Sequence, residues 1–460
     1  LMIIFFSVVT LLILGGFSRK NIGAILSTLI TTFLIFALYK ISLAYTGDLH
    51  YELMDYIAGP NDLENIFLSG VLVGCLGAVM DVSITVNSAV NELVNAAKSI
   101  TLKQLIKSIR EIGHDIMGTM INVLMFSYIG GSLSIVILKI INGYNFQRLI
   151  QFDISFEIIR FLVGAIGIVS AVPISACVAL LFFRKGMSKN DSVANNSIAD
   201  VNDSSRNYFG GDRGAKSFIA LACNVLLLVM AVFIISHGVN PVLVTIIGTI
   251  IFCQITLIYQ NGHNLKTYAA VISVVGVILL LSLLVSILGT KSNLGGYSEL
   301  DLSSELSVYL SPNININMNQ LMICMIIISL LGAVMDTAMA ITSSLYEFNE
   351  VNSELTFSEL VRLGFNVGRD ILGTTVNTIF FATIGETMMI SILFMKNNYT
   401  FESVINSKEF YKNLFDLVIS NIGCLLIIPI SIFICTYMIK SNNSFIKKVK
   451  DYCQKMSNEN

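Results

Sequence analysis

The chain has 460 residues, of which 55% are hydrophobic and 13% are charged, and its net charge is −2. A soluble domain carries about 25% charged residues, so the composition excludes an ordinary soluble protein and favours an integral membrane protein. The sequence contains no Walker-type loop, dinucleotide fingerprint, HExxH motif or CxxC motif. We therefore expect no cofactor, no metal site, no catalytic residues, no nucleic-acid partner and no enzymatic activity.

Apolar segments of about 20 residues follow one another along the whole chain, which is the length that a helix needs to cross the hydrocarbon core of a bilayer. We predict an all-α, polytopic transmembrane helix bundle of about 11 spans that contacts the lipid bilayer. The predicted spans are 1–16, 22–43, 66–90, 115–139, 157–183, 217–236, 240–260, 267–289, 318–345, 371–395 and 415–439.

Basic residues lie at alternate ends of these spans. If the loop that holds Arg19 and Lys20 is cytoplasmic, 20 of the 28 basic residues fall in cytoplasmic segments. Positive charge is retained on the cytoplasmic side of a membrane, so we predict a multi-pass protein whose C-terminus is cytoplasmic.

An internal repeat is the most specific feature of the sequence. Gly77-Ala-Val-Met-Asp81 recurs as Gly332-Ala-Val-Met-Asp336, and 18 of 54 positions are identical between residues 77–130 and 332–385. Identity at one constant shift over this length indicates duplication. We therefore predict two copies of one unit. Because a unit of six spans has both ends on one side, the copies are expected to be parallel repeats of the same orientation.

The boundaries of the two copies follow from the spans. The first copy is predicted at 1–185 with five spans, and the second at 216–440 with six. We expect the sixth span of the first copy to lie upstream of Leu1. The polar segment 186–215 is predicted to be a disordered cytoplasmic linker, and 441–460 a cytoplasmic tail.

Polar side chains interrupt two predicted spans in each copy. Asp81, Ser88 and Glu92 follow one another at i, i+7 and i+11, which places them on one face of a helix. The next span carries a second stripe, and both stripes recur in the second copy. The predicted ion or substrate pathway consists of Asp81, Ser88, Glu92, Asp115, Thr119, Asn122, Asp336, Ser343, Glu347, Asp370, Thr374 and Asn377.

A carboxylate at the centre of a bilayer costs at least about 2.5 kcal/mol, so Asp81 and Asp336 must face a partner, water or a cavity. An ion or proton pathway is the functional interpretation. The structural alternative is that these aspartates form interhelical hydrogen bonds that fix the packing. Asp115 and Asp370 are equally compatible with ion pairs beside His114 and Arg369.

These motifs resemble the YibE/F family of bacterial membrane proteins. The second copy shows the pattern Gly368-Arg369-Asp370-Ile371-Leu372-Gly373-Thr374-Thr375-Val376-Asn377, and the first copy departs from it at His114. A weaker family element resembles Gly16-Phe17-Ser18-Arg19-Lys20. The resemblance implies two YibE/F-like units fused in one chain, located in a bacterial plasma membrane.

The resemblance implies no particular activity, so function is inferred from the residues. Twinned intramembrane carboxylates and the lack of an ATP-binding motif favour a secondary transporter or ion-coupled permease for a small solute or ion. The alternative is a structural or assembly subunit with a membrane-protein partner. A membrane-embedded enzyme is the weakest hypothesis, because the catalytic loop of an intramembrane aspartic protease is missing.

Overall fold

The computed structural model describes residues 2–46, 63–96, 102–141, 143–150, 154–183, 212–292, 317–351, 354–396 and 398–441. Every regular element in these ranges is a helix, which confirms the all-α prediction. Most of the predicted linker and the predicted tail beyond residue 441 lie outside the described residues. The linker was predicted to end at residue 215, but a helix already begins at Asp212. Residues 212–215 are therefore helical rather than part of a disordered linker.

The helices of the first copy agree with the predicted spans to within six residues, except that the fourth helix begins at Leu102, 13 residues before the predicted start at 115. In chain order they are α1 Met2–Gly15, α2 Arg19–Thr46, α3 Leu63–Ala96, α4 Leu102–Ile141, the short α5 Phe146–Leu149, and α6 Ser155–Phe183.

The helices of the second copy follow the same order after one additional helix. They are α7 Asp212–Ser236, α8 Pro241–Cys253 with a π-helical continuation Gln254–Tyr259, α9 Leu265–Ser292, α10 Met318–Val351, α11 Phe357–Lys396, the short α12 Phe401–Ile405, and α13 Lys408–Lys440. The corresponding helices α3 and α10 both have 34 residues, and α4 and α11 both have 40.

Eight helices among the described residues are long and apolar enough to cross a membrane, which confirms the membrane-protein prediction in this coarser form. Two further predicted spans contain shorter apolar stretches, Ile4–Ile13 and Met117–Leu133. The polar stripes of α4 and α11 interrupt their apolar segments. This lowers the hydropathy of these two helices below that of the eight apolar ones. The total of eleven spans stays a prediction.

Helices α3 and α10 form the centre of the bundle. About 83% and 89% of their apolar segments are buried, whereas the other six apolar helices are 28% to 44% buried. The peripheral helices keep large apolar side chains on their outer faces, as Leu226 and Phe233 of α7 and Leu283 of α9 show. Lipid is as apolar as these side chains, so an exposed apolar face is stable only in contact with the bilayer.

The central helix of each copy makes its largest contact with a helix of the other copy. Helix α3 contacts α11 of the second copy more extensively than any other helix, and α10 makes its largest contact with α4 of the first copy. Within each copy, α2 and α6 cover α3, and α9 and α13 cover α10 in the same way. The packing therefore repeats together with the sequence.

Glycine makes the close approach of α3 and α11 feasible. A Cβ atom built on Gly385 of α11 would lie 2.5 Å from the Gly74 amide nitrogen and 2.6 Å from the Gly70 carbonyl oxygen of α3. These neighbours are backbone atoms, which cannot move without shifting a whole helix.

We predict that Gly385→Ala lowers stability by about 1–3 kcal/mol, because the added methyl group forces the central helices apart. Gly276→Ala is the matched control, because a Cβ at this helical glycine of α9 would meet no atom within 4 Å. The control should be neutral or stabilising by up to about 1 kcal/mol. Thermal unfolding in detergent measures both variants, and equal melting temperatures would contradict the packing described.

The start of α11 carries a reciprocal cap. The Thr356 amide and hydroxyl both donate to Glu359 Oε2 at 2.8 Å, and the Glu359 amide donates back to the Thr356 hydroxyl at 3.3 Å. The hydrogen bonds from the Thr356 amide and hydroxyl lower the pKa of Glu359 below its ordinary value of 4.5. A depressed carboxyl pKa stabilises the folded form above the ordinary pKa, and this contribution disappears as the pH falls through the folded pKa.

We therefore predict that the first turn of α11 frays as the pH falls below 4.5 and through the lowered pKa of Glu359, while it stays protected at neutral pH. Hydrogen exchange of the amides at 357–360 measures this change. Glu359→Gln keeps a side chain that accepts a hydrogen bond but does not titrate there. The fraying of this variant should not depend on pH over the same range.

Candidate functional site

The centre of the bundle holds a hydrogen bond between the copies that involves a carboxylate. Thr119 of α4 donates its hydroxyl proton to Asp336 Oδ1 of α10 at 2.6 Å. Thr119 is 4% exposed, and Asp336 is half-buried between apolar neighbours. This hydrogen bond ties a carboxyl group of the second copy to a hydroxyl group of the first.

The aspartate of the first copy, Asp81, has a corresponding neighbour in the second copy. Asp81 of α3 interacts with the side chain of Thr374, the counterpart of Thr119 on α11, and it is close enough to Asp336 for the two carboxylates to repel each other. The Thr374 hydroxyl also donates to the Ile371 carbonyl oxygen of its own helix at 2.9 Å. The structure thus brings Asp81, Thr119, Asp336 and Thr374 together, as a site of the predicted kind requires.

Two glycines bring the helix backbones close enough for these contacts. A Cβ atom on Gly77 would lie 2.6 Å from the Cα atom of Thr378, and one on Gly332 would lie 2.6 Å from the Cα atom of Val123. Thr378 and Val123 occupy equivalent positions of α11 and α4. Thr378 additionally donates its hydroxyl to the Gly77 carbonyl oxygen at 3.0 Å. The glycine four residues before each aspartate therefore sets the distance between the copies.

The predicted asparagines have different surroundings in the two copies. Asn122 is 1% exposed, and its Oδ1 atom accepts a hydrogen bond from Asn224 of α7 at 3.0 Å. Asn224 also donates to Thr256 Oγ1 in the π-helical segment at 2.9 Å. Asn377 is half-buried and donates to the Gly373 carbonyl oxygen of its own helix at 2.7 Å.

The remaining predicted residues lie towards the ends of the same helices. Ser343 accepts a hydrogen bond from Lys266 of α9 at 3.1 Å, and Ser88 is half-buried on α3. The structure does not describe the side chains of the four remaining acidic residues, which belong to α3, α4, α10 and α11 respectively: Glu92, Asp115, Glu347 and Asp370. The ion-pair alternative for Asp115 and Asp370 stays a prediction.

Sequence reasoning missed three polar residues that the structure places near these stripes. Asn224 and Thr256 join Asn122, and Asp416 of α13 accepts a hydrogen bond from Ser329 of α10 at 3.2 Å. Asn224 is the only residue with an amide side chain in the apolar segment 217–236. That isolated polar residue could have indicated a buried contact. Asp416 lies at the very edge of its predicted span, where a carboxylate is unremarkable.

The described side chains offer oxygen and amide groups rather than a clustered metal site. In the part of the chain that the structure describes, no three residues of the His, Cys, Asp and Glu types are grouped so that they could hold a metal ion. Carboxyl and hydroxyl groups of this kind can exchange a proton or contribute oxygen ligands to a cation.

A family model described as YibE/F-like protein matches residues 1–185 and 207–441 of the chain. The match falls into two segments, and the second begins nine residues before the predicted start of the second copy at 216. The comparison is consistent with two repeated units and confirms the resemblance drawn from the motifs. No curated protein and no solved structure matches the chain.

We predict that Thr119→Val destabilises the protein by about 1–3 kcal/mol, because it leaves the Asp336 carboxylate without its donor in an apolar environment. Thr119→Ser keeps the hydroxyl group and should retain most of the stability. Thr249→Val is the matched control, because this buried threonine donates to the Ile246 carbonyl oxygen of its own helix and makes no other hydrogen bond to the residues that the structure describes. Melting temperatures in detergent rank the three variants. An order in which Thr249→Val is the least stable would contradict the role of Thr119.

Proposed function

The chain belongs to the YibE/F-like family, and we propose that it is a secondary transporter or ion-coupled permease in which Asp81 and Asp336 bind the coupled proton or ion. In this proposal the chain spans a bacterial plasma membrane eleven times, its two repeats are parallel, and its linker and C-terminus are cytoplasmic. Its role in this proposal is transport rather than catalysis.

The contact of Thr119 with Asp336 is the observation that carries the proposal. A threonine from one copy holds the carboxyl group of the other copy, within helices whose buried side chains are mostly apolar. A packing contact in a membrane does not need a group as costly as a carboxylate, because threonine and asparagine form interhelical hydrogen bonds at lower cost. An intramembrane carboxylate is a functional site by default.

The mechanism follows from the repulsion between the two carboxylates. When both are ionised they disfavour close approach of the copies, and a bound proton or cation removes that repulsion. Binding therefore favours the closed arrangement of α3 on α11 and of α10 on α4. A ligand shifts a conformational equilibrium only by its differential affinity for the two states. The carboxylate pair provides that differential affinity at the interface between the copies.

A second candidate function is a structural or assembly subunit. The observation that favours it is the direct backbone packing of Gly70 and Gly74 on Gly385, which is typical of rigid helix association in membranes. In this role the polar contacts stabilise helix packing, a membrane-protein partner co-purifies, and exchange of the aspartates affects folding alone.

We predict that a jump in proton or sodium concentration produces a charge displacement in proteoliposomes adsorbed to a solid-supported membrane. This signal arises from ion binding itself, so it does not require the transported solute. The Asp81→Asn/Asp336→Asn double variant should show only the signal of empty liposomes, because neutral amides bind no proton and attract cations weakly.

Asp301→Asn is the matched control, because it makes the same chemical change in a predicted extramembrane loop. It should behave as the unmodified chain. Detergent melting curves of each variant separate loss of binding from loss of folding. An unaltered charge displacement in a folded double variant would refute the proposed role of the aspartates. The absence of any displacement in the unmodified chain would favour the assembly subunit.

A further inference from the structure

Helix α7 covers a face of α4 whose counterpart on α11 is partly exposed. Helix α7 contacts both α4 and α8, including the π-helical continuation of α8. On α4, Asn122 is 1% exposed and Met125 is fully buried. The counterparts of these residues in the second copy are Asn377, which is half-buried, and Phe380, which is 43% exposed. The two halves of the molecule therefore differ in what lies over this face.

Helix α1 lies against α11 as α8 lies against α4. The rings of Phe6 in α1 and Phe381 in α11 have their centroids 5.6 Å apart. In the other half, the centroids of Phe252 in α8 and Phe126 in α4 are 5.0 Å apart. Phe6 and Phe252 each lie ten residues before the glycine of the turn that follows their helix, and Phe126 and Phe381 are counterparts in the repeat. Equivalent side chains therefore meet in both halves, so the two helix pairs have the same register.

A polar contact connects α7 to both of its neighbours, and two of its three residues recur in the other half. Asn224 of α7 donates to Asn122 at 3.0 Å and to Thr256 at 2.9 Å. Asn377 is the counterpart of Asn122, and Thr10 is the counterpart of Thr256, four residues after the aligned phenylalanine. Thr256 is fully buried, whereas Thr10 is half-buried. The face of α11 and α1 therefore retains both residues that the amide of α7 connects in the other half.

Asn377 is a polar side chain on a surface that would otherwise meet lipid. In the part of the chain that the structure describes, its side chain is hydrogen-bonded only within its own helix, to the Gly373 carbonyl oxygen. Exposure of an amide oxygen to hydrocarbon is unfavourable, because lipid tails offer no donor. Amide side chains commonly form hydrogen bonds between membrane helices. An amide from a neighbouring helix would give this oxygen a donor, as Asn224 does for Asn122.

We propose that the face formed by Asn377, Phe380 and Thr10 is the docking site of one further membrane-spanning helix. The occupant is the first copy's own counterpart of α7, an apolar helix that places one amide side chain opposite Asn377. Duplication is the reason for this assignment, because a face built from the same repeat is complementary to the same kind of helix. The helix would dock in the same way whether or not the protein transports an ion.

A synthetic peptide with the sequence of α7, residues 212–239, is the probe for this face. It carries a photoreactive leucine analogue at Leu228, a buried position about one turn after Asn224. The peptide is mixed with the full chain in detergent and irradiated, and mass spectrometry locates the crosslink. We expect one peptide per chain, attached to α11 or α1. The Asn224→Leu peptide should need at least about 3 times the concentration for the same yield, because it loses its interhelical hydrogen bonds.

Variants of the chain identify the residue that the peptide recognises. Asn377→Leu should weaken binding as the Asn224→Leu peptide does, and the two changes together should cause no further loss. Asn421→Leu is the matched control on α13, because this amide donates to the Leu417 carbonyl oxygen of its own helix. It should bind the peptide as the unmodified chain does. Melting temperatures without peptide show that each variant is folded.

The chain is also tested as Phe380→Met, which gives α11 the side chain that α4 has at the equivalent position. The absence of a crosslink in both this variant and the unmodified chain would overturn the proposal. Equal binding of the Asn224→Leu peptide, or a crosslink confined to other helices, would do the same. A dimer of the chain, or a complex with another protein, that forms without peptide and is dissociated by Asn377→Leu would assign the face to a different occupant and would also overturn it.

Discussion

The close approach of helix backbones at glycine is the constraint on which the rest of the structure depends. Gly77, Gly332 and Gly385 each face backbone atoms of a helix from the other copy. Only this separation allows Thr119 to reach Asp336 from the neighbouring helix. Larger residues at these positions would leave each aspartate without a partner from the other copy. The polar chemistry of the centre is therefore a consequence of its steric arrangement.

The all-α fold class and the approximate positions of the apolar helices could be predicted from the sequence, because the length of an apolar segment is a one-dimensional signal. The starts of α4 and α11 could not, because their first turns are polar. The pairing of α3 and α10 with α11 and α4 could not be predicted. A stripe such as Asp81 and Ser88 shows which face of a helix is polar, but it carries no information about which helix covers that face. The sequence also predicted the central residues Asp81, Thr119, Asp336 and Thr374, because duplication made the motif visible twice.

Residues outside the duplicated motif were harder to recognise. Asn224 lies in an otherwise apolar run, and Thr256 is a residue type that often donates to its own helix in membranes. Neither belongs to the repeated motif. Their importance depends on a three-dimensional coincidence of α4, α7 and the π-helical segment. The two copies therefore differ around a common centre, and these differences concern neutral polar residues rather than the central aspartates.

Helices α4 and α11 each pack on the central helix of the other copy, so the two copies resemble a domain-swapped dimer. In each copy the chain leaves its own central helix and then packs along the central helix of the other copy. Proteins that exchange an element in this way hold each other by the same contacts that stabilise a single subunit. The covalent connection between the copies is thus not what keeps them together. It ensures that two non-identical halves, rather than two identical ones, always meet in one molecule.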